Sequence, residues 1–380
     1  MKRNFLYLAA VTVVALALVF IVTPTDRSSE KTVMNQLLLP AIAGRINEVD
    51  RVEIVTAGDT TVATLVRKDD AWAVEQMGGY HADWPKLQKL LAALARARVI
   101  EPKTDKPEYF ARLGVEDISA QDAGGVLVRL GIGDQVTGVL IGKAAEGRKG
   151  RYVRLQDSMA SALVDQEFDV PKETLQWADT KIVDINSSQV AEVEIIHPGS
   201  ERVLATKVSA DQTDFDLVGL PPDREVKSSW AINSLGSVLS LLNMQSVRPQ
   251  DSVDWTKAVK LRLITFSGVE VLADLVQAGD EYLIRLHAAQ PAASVVRRDE
   301  ESPGVEQEMQ NPDGDAEQQL GGDKDEKSAA DATEQAAEDV AAQVEDINDK
   351  VDGWAYGITK AKYENMTRKM EDLLKPPASS

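Results

Sequence analysis

Two residues near the start of the chain have the types that acid–base chemistry needs. His81 and Asp83, in GYHADWPKLQKLL (79–91), match a general base and the carboxylate that orients it. The same positions also suit a helix start. Asp83 can accept from the first free backbone N–H groups, with Trp84 and Pro85 in the first turn, where proline's missing donor costs nothing. A second stretch, SSWAINSLGSVL (228–239), places Ser229 before Trp230 and has no histidine nearby. Only a cap and a tryptophan recur, so capping is the expected role.

The remaining motifs lead away from catalysis. Gly131 and Gly133 in RLGIGDQVTG begin like a phosphate loop, but the third glycine of GxGxxG would fall on Val136. Gly142-Lys143 is followed by Ala144 where a P-loop needs Ser or Thr, and Thr137 stands where it needs glycine. These read as turn glycines of a β-meander, and no GxSxG elbow occurs. With no cysteine, and with His81, His197 and His287 far apart, disulfides, thiolate nucleophiles and zinc sites with a sequence signature are excluded. Carboxylate pairs such as Asp69-Asp70 and Glu116-Asp117 carry little information in so acidic a chain. The expectation is therefore no catalytic residue, no cofactor, no metal site and no enzymatic activity.

Candidate interaction residues come from a tyrosine–arginine strand present twice, in GRYVRL (150–155) and DEYLIRL (280–286). Tyr152, Arg154, Tyr282 and Arg285 either face a ligand, as Tyr and Arg do at interfaces, or place arginine on the solvent face of a strand whose neighbours pack inward. Arg148, Lys149 and Arg151 in EGRKGRYVR form a basic hairpin tip, solvated or turned toward an acidic partner or anionic headgroups.

The elements that position these residues form a repeated pattern. INEVDRVEIVTAGDTTVATLVRKDDAWAVEQ (46–76) reads as two alternating strands and a short third around Trp72, and SSQVAEVEIIHPGSERVLATKVSADQTDFDLVG (187–219) repeats that order. A helix follows each time, striped by Leu87, Leu90, Leu91 and Leu94 in one copy and by Leu235, Val238, Leu239 and Leu242 in the other. Each helix leads to a valine and a proline, then to a meander ending in the tyrosine–arginine strand. FDVPKETLQWADTKIVD after the first copy and WAYGITKAKYENMTRKMEDLL after the second both read as a short strand leading to a helix. The expected fold is α+β: two tandem, internally duplicated modules of antiparallel strands, each with a packed helix, over residues 37–183 and 184–375.

Charge and hydropathy add the surroundings. Phe5–Val22 is an uncharged run long enough, at roughly 27 Å as a helix, to cross a hydrocarbon core. Phe5, Leu6, Leu16, Leu18, Phe20 and Val22 would serve as membrane anchor. Lys2 and Arg3 immediately before the run place residues 1–4 in the cytoplasm under the positive-inside rule. This predicts a single-pass inner-membrane protein with its bulk in the periplasm and a linker over 23–36. The competing reading is a cleaved signal peptide. Net charge is −19, and residues 291–350 alone hold 18 Asp and Glu against 5 Lys and Arg, or −13. A chain so acidic has no electrostatic footprint for nucleic acid. The 290–350 segment is too poor in large apolar residues to offset chain entropy, and reads as a disordered acidic insertion between two strands of the second module, with a transient helix over Ala332–Val344.

Taken in order, LLLPAIAGRINEVDRVEIV, the WAVEQ…YHADWPKLQKLLAALARARVIEP block, YFARLGVED, VLIGK…GRYVRL and the WAYGITK…KMEDLL tail resemble the bacterial domain of unknown function 4340 family, over roughly Leu37–Lys375 without the acidic segment. The resemblance implies an N-terminal membrane anchor and genes often placed beside ABC-type exporters of the gliding-motility class. It implies no catalytic residues. The function expected is a non-enzymatic accessory or scaffold subunit of an ABC-type transport system, partnered by permease or auxiliary subunits. The alternatives are a periplasmic binding module for an envelope polymer or small ligand, using a groove between the modules, and, less favoured, a hydrolase built from scattered residues.

Overall fold

The computed structural model describes residues 34–291 and 323–376. The chain divides into two compact units: the described residues up to Gln76 with Ala82–Trp177, and Met77–His81 with the described residues from Ala178 onward. The anchor expected at 5–22, the linker up to residue 33 and the acidic segment at 292–322 lie outside the described residues. Among the described residues no helix is long and apolar enough to cross a membrane.

The first unit is built on one large antiparallel sheet. Strands β1 (Arg51–Thr56), β2 (Thr60–Lys68), β3 (Ala71–Val74), β5 (Val99–Pro102), β6 (Val126–Ile132), β7 (Gln135–Ala144), β8 (Arg151–Leu155) and β9 (Ser161–Val164) run in the order β3-β2-β1-β6-β7-β8-β9-β5. The two-residue strand β4 (Tyr80–His81) groups with the second unit. Helices α1 (Pro40–Ala43), α2 (Trp84–Arg96) and α3 (Phe110–Leu113) complete the first unit. In α2 the expected stripe is the buried one, Leu87, Leu90, Leu91 and Leu94. Each fully buried leucine contributes about 1.5–3 kcal/mol, which holds a helix of this length where propensity alone is marginal.

The second unit repeats this wiring. Strands β11 (Val190–Ile196), β12 (Arg202–Thr206), β13 (Asp216–Val218), β15 (Ser246–Pro249), β16 (Val259–Thr265), β17 (Glu270–Ala278), β18 (Glu281–Ala289) and β19 (Trp354–Ile358) run β13-β12-β11-β16-β17-β18-β19-β15. That repeats the order of the eight strands given for the first unit. A small ribbon pairs β10 (Lys181–Val183) with β14 (Leu242–Asn243). The duplication reaches single side chains. Glu53 on β1 faces Arg129 on β6 across the ladder, and Glu194 on β11 faces Arg262 on β16 in the same register. Val52 and Ile54, like Val193 and Ile195, alternate with those glutamates and are fully buried, as period-2 geometry requires of a sheet with one covered face.

The described fold is thus two large antiparallel sheets with a few short helices. The second packing helix, α4 (Ser229–Gly236), is shorter than its apolar stripe suggests. It ends at Gly236, a position closed to any side chain because a Cβ there would overlap the Phe215 ring. The turn that follows is held by Lys362, whose Nζ donates to the carbonyl oxygens of Val238 (3.2 Å) and Ser240 (2.7 Å). Val238 and Leu239 still bury their side chains, but from this turn, and Leu242 does so from β14. The N-cap is Ser228, accepting from Ala231 N, and Ser229 is already helical.

The acidic segment also departs from expectation. It does fall between β18 and β19, but from Asp323 to Val351 it is helix α5 rather than structureless chain. The reason lies at its C-terminal end. Val340, Val344, Ile347 and Asn348 recur at helical spacing on the less exposed side, and Val351 is fully buried. The Asn348 amide both donates to and accepts from the backbone of Ala288 on β18. Helices α6 (Lys360–Met366) and α7 (Met370–Leu373) close the chain.

Candidate interaction sites

The duplicated tyrosine–arginine strands present their side chains differently in the two units. In β8, Tyr152 and Arg154 are two residues apart and share a face; in β18, Tyr282 and Arg285 are three apart and point to opposite faces. One extra residue therefore reverses the arginine, as any one-residue register change must. Arg154 is 3 % exposed. Its Nε donates to Val115 O at 2.8 Å, Nη1 to Ser158 O at 2.9 Å and Nη2 to Asp117, and the guanidinium lies 4.7 Å from the Phe110 ring centroid. It fastens a loop and faces neither ligand nor solvent. Arg285 instead bonds Asp274 at 2.9 Å and lies 4.8 Å from the Trp255 ring. Tyr152 sits under Lys103 Nζ at 5.7 Å, and Tyr282 contacts Tyr363 at 4.9 Å.

The basic hairpin tip is largely neutralised. Arg148 pairs with Glu101, and Arg151 with Glu167 at 3.6 Å, while Glu167 also accepts from Gly150 N at 2.9 Å. Arg148 and Lys103 together hold the Glu101 carboxyl below its ordinary range, the lysine hydrogen bond being the larger cause. Of the three basic residues of the tip, Lys149 alone is exposed with no ion pair to a described residue. Five of the seven candidate residues belong to the first unit, and Tyr282 and Arg285 belong to the second.

His81 and Asp83 have separate partners. Asp83 caps α2 through Lys86 N at 3.0 Å and pairs with Lys86 Nζ at 3.0 Å. His81 belongs to a polar cluster of the second unit: its carbonyl accepts from Asp179 N at 3.0 Å, and Asp179 binds Lys350 Nζ at 2.6 Å. Beside it the Tyr80 ring meets Trp354 and Tyr356 edge-on, at 5.2 and 5.9 Å. Burial pushes the Tyr80 hydroxyl up to about 12. Burial, and then the Lys350 charge, lowers His81, with Asp179 and Asp349 pulling the other way. A base with a depressed folded pKa binds fewer protons folded than unfolded, so its contribution is intact above the ordinary value of 6.5 and is lost as pH falls below it toward the folded value. The expected result is a melting temperature that declines on acidification from pH 6.5, with the decline flattened in His81→Asn, as differential scanning calorimetry across pH would show.

The glycine motifs are structural. Gly133 has φ +55° in the turn between β6 and β7. Lys143 donates to the carbonyls of Ala111 and Arg112 at 3.2 and 3.3 Å, fastening the end of α3 instead of reaching toward a phosphate. Among the described residues no group of three or more His, Cys, Asp or Glu is arranged to hold a metal ion.

The side chains that stand out are tryptophans. Trp84 and Trp230 occupy the first turns of α2 and α4, 45 % and 73 % exposed. Trp84 stacks on the buried Trp72, with centroids 6.4 Å apart and planes at 11°. The pair walls a groove of about 350 Å³ with Asn47, Arg67, Asp70 and Gln88 on its rim. Trp230 borders a broad cleft of about 650 Å³ edged by Lys227, Glu364, Arg368 and Asp372.

The family profile described as domain of unknown function (DUF4340) matches residues 72–262, half of the chain. The chain belongs to the DUF4340 family. The matched stretch begins in β3 and ends in β16, so it runs from one unit into the other. No curated protein and no solved structure matches the chain.

For a DUF4340 chain these surfaces offer binding chemistry: flat apolar area beside charged and amide groups. In the sequence both tryptophans stand beside helix caps. One signal was available. Trp230 lies five residues before Leu235, about 140° around the helix from the buried stripe, which marks it as outward-facing. Trp84 lies only three before Leu87 and carries no such mark.

Proposed function

We propose that this DUF4340 protein is a non-enzymatic, inner-membrane-anchored periplasmic accessory or scaffold subunit of an ABC-type transport system. The observation that carries the reading is Trp230. A large indole left 73 % exposed at the start of a packing helix, beside a cleft edged by both signs of charge, has the character of an interface hot spot with a polar rim. The resemblance set out above supplies the partner class, permease or auxiliary subunits, and the Phe5–Val22 run supplies the tether.

The test is crosslinking and affinity recovery of the full chain from native membranes. Transporter subunits should be recovered with the natural chain and reduced about tenfold with Trp230→Ala, which removes an exposed side chain and should leave melting unchanged. Recovery of the chain without any transporter subunit would sink the proposal.

A further inference from the structure

We infer that the Trp72–Trp84 groove of the first unit is a saccharide-binding site, one that a neutral sugar ring enters by stacking on the exposed indole of Trp84. The inference is independent of the transport-subunit reading, because it concerns a different unit and a different ligand.

A pyranose ring has a flat apolar face of C–H groups and a perimeter of hydroxyls. Its recognition needs an aromatic surface of fixed tilt, with planar hydrogen-bonding side chains around the edge. The groove supplies both. Trp72, only 7 % exposed, lies nearly parallel to Trp84 and fixes its orientation while leaving Trp84 45 % exposed. Around the indoles stand four side chains ending in planar polar groups. Asn47, Asp70 and Gln88 make no side-chain hydrogen bond or ion pair with other described residues. Arg67 uses Nε on Asp69 O and Nη1 on Asn47 O, which leaves Nη2 unengaged. The amide and carboxylate groups can pair with vicinal hydroxyls as donors and acceptors.

Charge and size narrow the ligand class. Arg67 and Asp70 cancel, so the rim offers no net attraction to a phosphate or to an ammonium group. A volume of about 350 Å³ lies at the small end of ligand clefts, roughly 300–1,000 Å³. An open groove of that size suits one end or one segment of an oligosaccharide. Among its described residues the second unit has no stacked Trp–Trp pair. Trp230 makes no ring–ring stacking contact among the described residues, and its cleft is edged by lysine, arginine and carboxylates.

The experiment uses the full chain in a sugar-free detergent, titrated with chitohexaose, maltohexaose and cellohexaose. The readouts are saturation-transfer difference NMR on the sugar protons and tryptophan fluorescence. At least one oligosaccharide should bind saturably. Trp84→Ala should weaken it about tenfold or more, the equivalent of roughly 1.4 kcal/mol, Gln88→Ala several-fold, and Trp230→Ala not at all. Calorimetry of each variant checks that folding is unchanged. No saturable signal with any of the three, or equal binding by Trp84→Ala, overturns the inference. So does competition by a plain alkyl chain but by no sugar, which would make the groove an apolar docking site.

Discussion

Arg154→Ala is expected to destabilise the first unit by about 3 kcal/mol, among the largest effects of any single change outside the apolar core. The guanidinium is almost wholly buried, and its three bonding nitrogens go to three different acceptors, Val115 O, Ser158 O and Asp117. Its removal leaves the Val115 carbonyl in a buried position, and the Ser158 carbonyl in a half-buried one, without that donor, and an unpaired buried group costs roughly 1–3 kcal/mol. The packing over Phe110 is lost as well. Asp117 itself is mostly exposed and rehydrates easily, so Asp117→Asn should cost far less. Arg154→Lys keeps the charge but not the planar fork, and an ammonium on a shorter reach cannot serve acceptors set in divergent directions. It should recover little. Urea denaturation of the three variants tests this, and a loss for Arg154→Ala under 1 kcal/mol would refute the assignment of a structural lock.

Gly150→Ala should act on the same unit with comparable size, again about 3 kcal/mol. Gly150 enters β8 with φ +119°, a conformation that a side chain makes costly by roughly 1–3 kcal/mol. A Cβ there would also overlap the carbonyl oxygen of Val164 on the neighbouring strand β9. That oxygen belongs to backbone paired with Arg151, so it cannot move without disturbing the ladder. For a unit of this size the loss corresponds to a melting shift of roughly 10 °C. Gly147, three residues away, also has positive φ but nothing within 4 Å of its Cβ position. Gly147→Ala should therefore cost less, and the difference between the two variants isolates the steric part.

The two units share one order of strands but use the recurring residues differently. The Glu53–Arg129 and Glu194–Arg262 pairs show that equivalent ladder positions kept their chemistry. The tyrosine–arginine strands did not, because DEYLIRL carries one residue more between tyrosine and arginine than GRYVRL. In the first unit arginine became an internal fastener, and in the second it joined the outer ion pairs. The same divergence separates Trp84, backed by Trp72, from the isolated Trp230.

Much of this architecture was legible in the sequence. Alternating strands, the leucine stripe of α2, the Asp83 cap and the repeated succession of strands and helix along the chain follow from local periodicity and capping chemistry, which act over a few residues and need no distant partner. Family membership was legible from ordered blocks along the chain. What periodicity could not reveal was the length of α4, since Lys362, which holds the turn that follows it, is remote in sequence. The ordered helix α5 was hidden for the same reason: its composition is that of a solvated chain, and only Ala288 and the buried site of Val351 give it a place to dock.

The candidate sites divide along that line. Sequence alone pointed to Asp83 as a helix cap, excluded thiol chemistry and a signature zinc site, and showed one order of strands and helix occurring twice along the chain. Tertiary structure alone decided that Arg154 is buried while Arg285 is not, that the basic tip is matched by Glu101 and Glu167, and that Trp72 lies under Trp84. Each of those outcomes depends on which residue arrives opposite another across a sheet or a loop. That pairing is a long-range property, fixed by register and packing rather than by the neighbours a residue has along the chain.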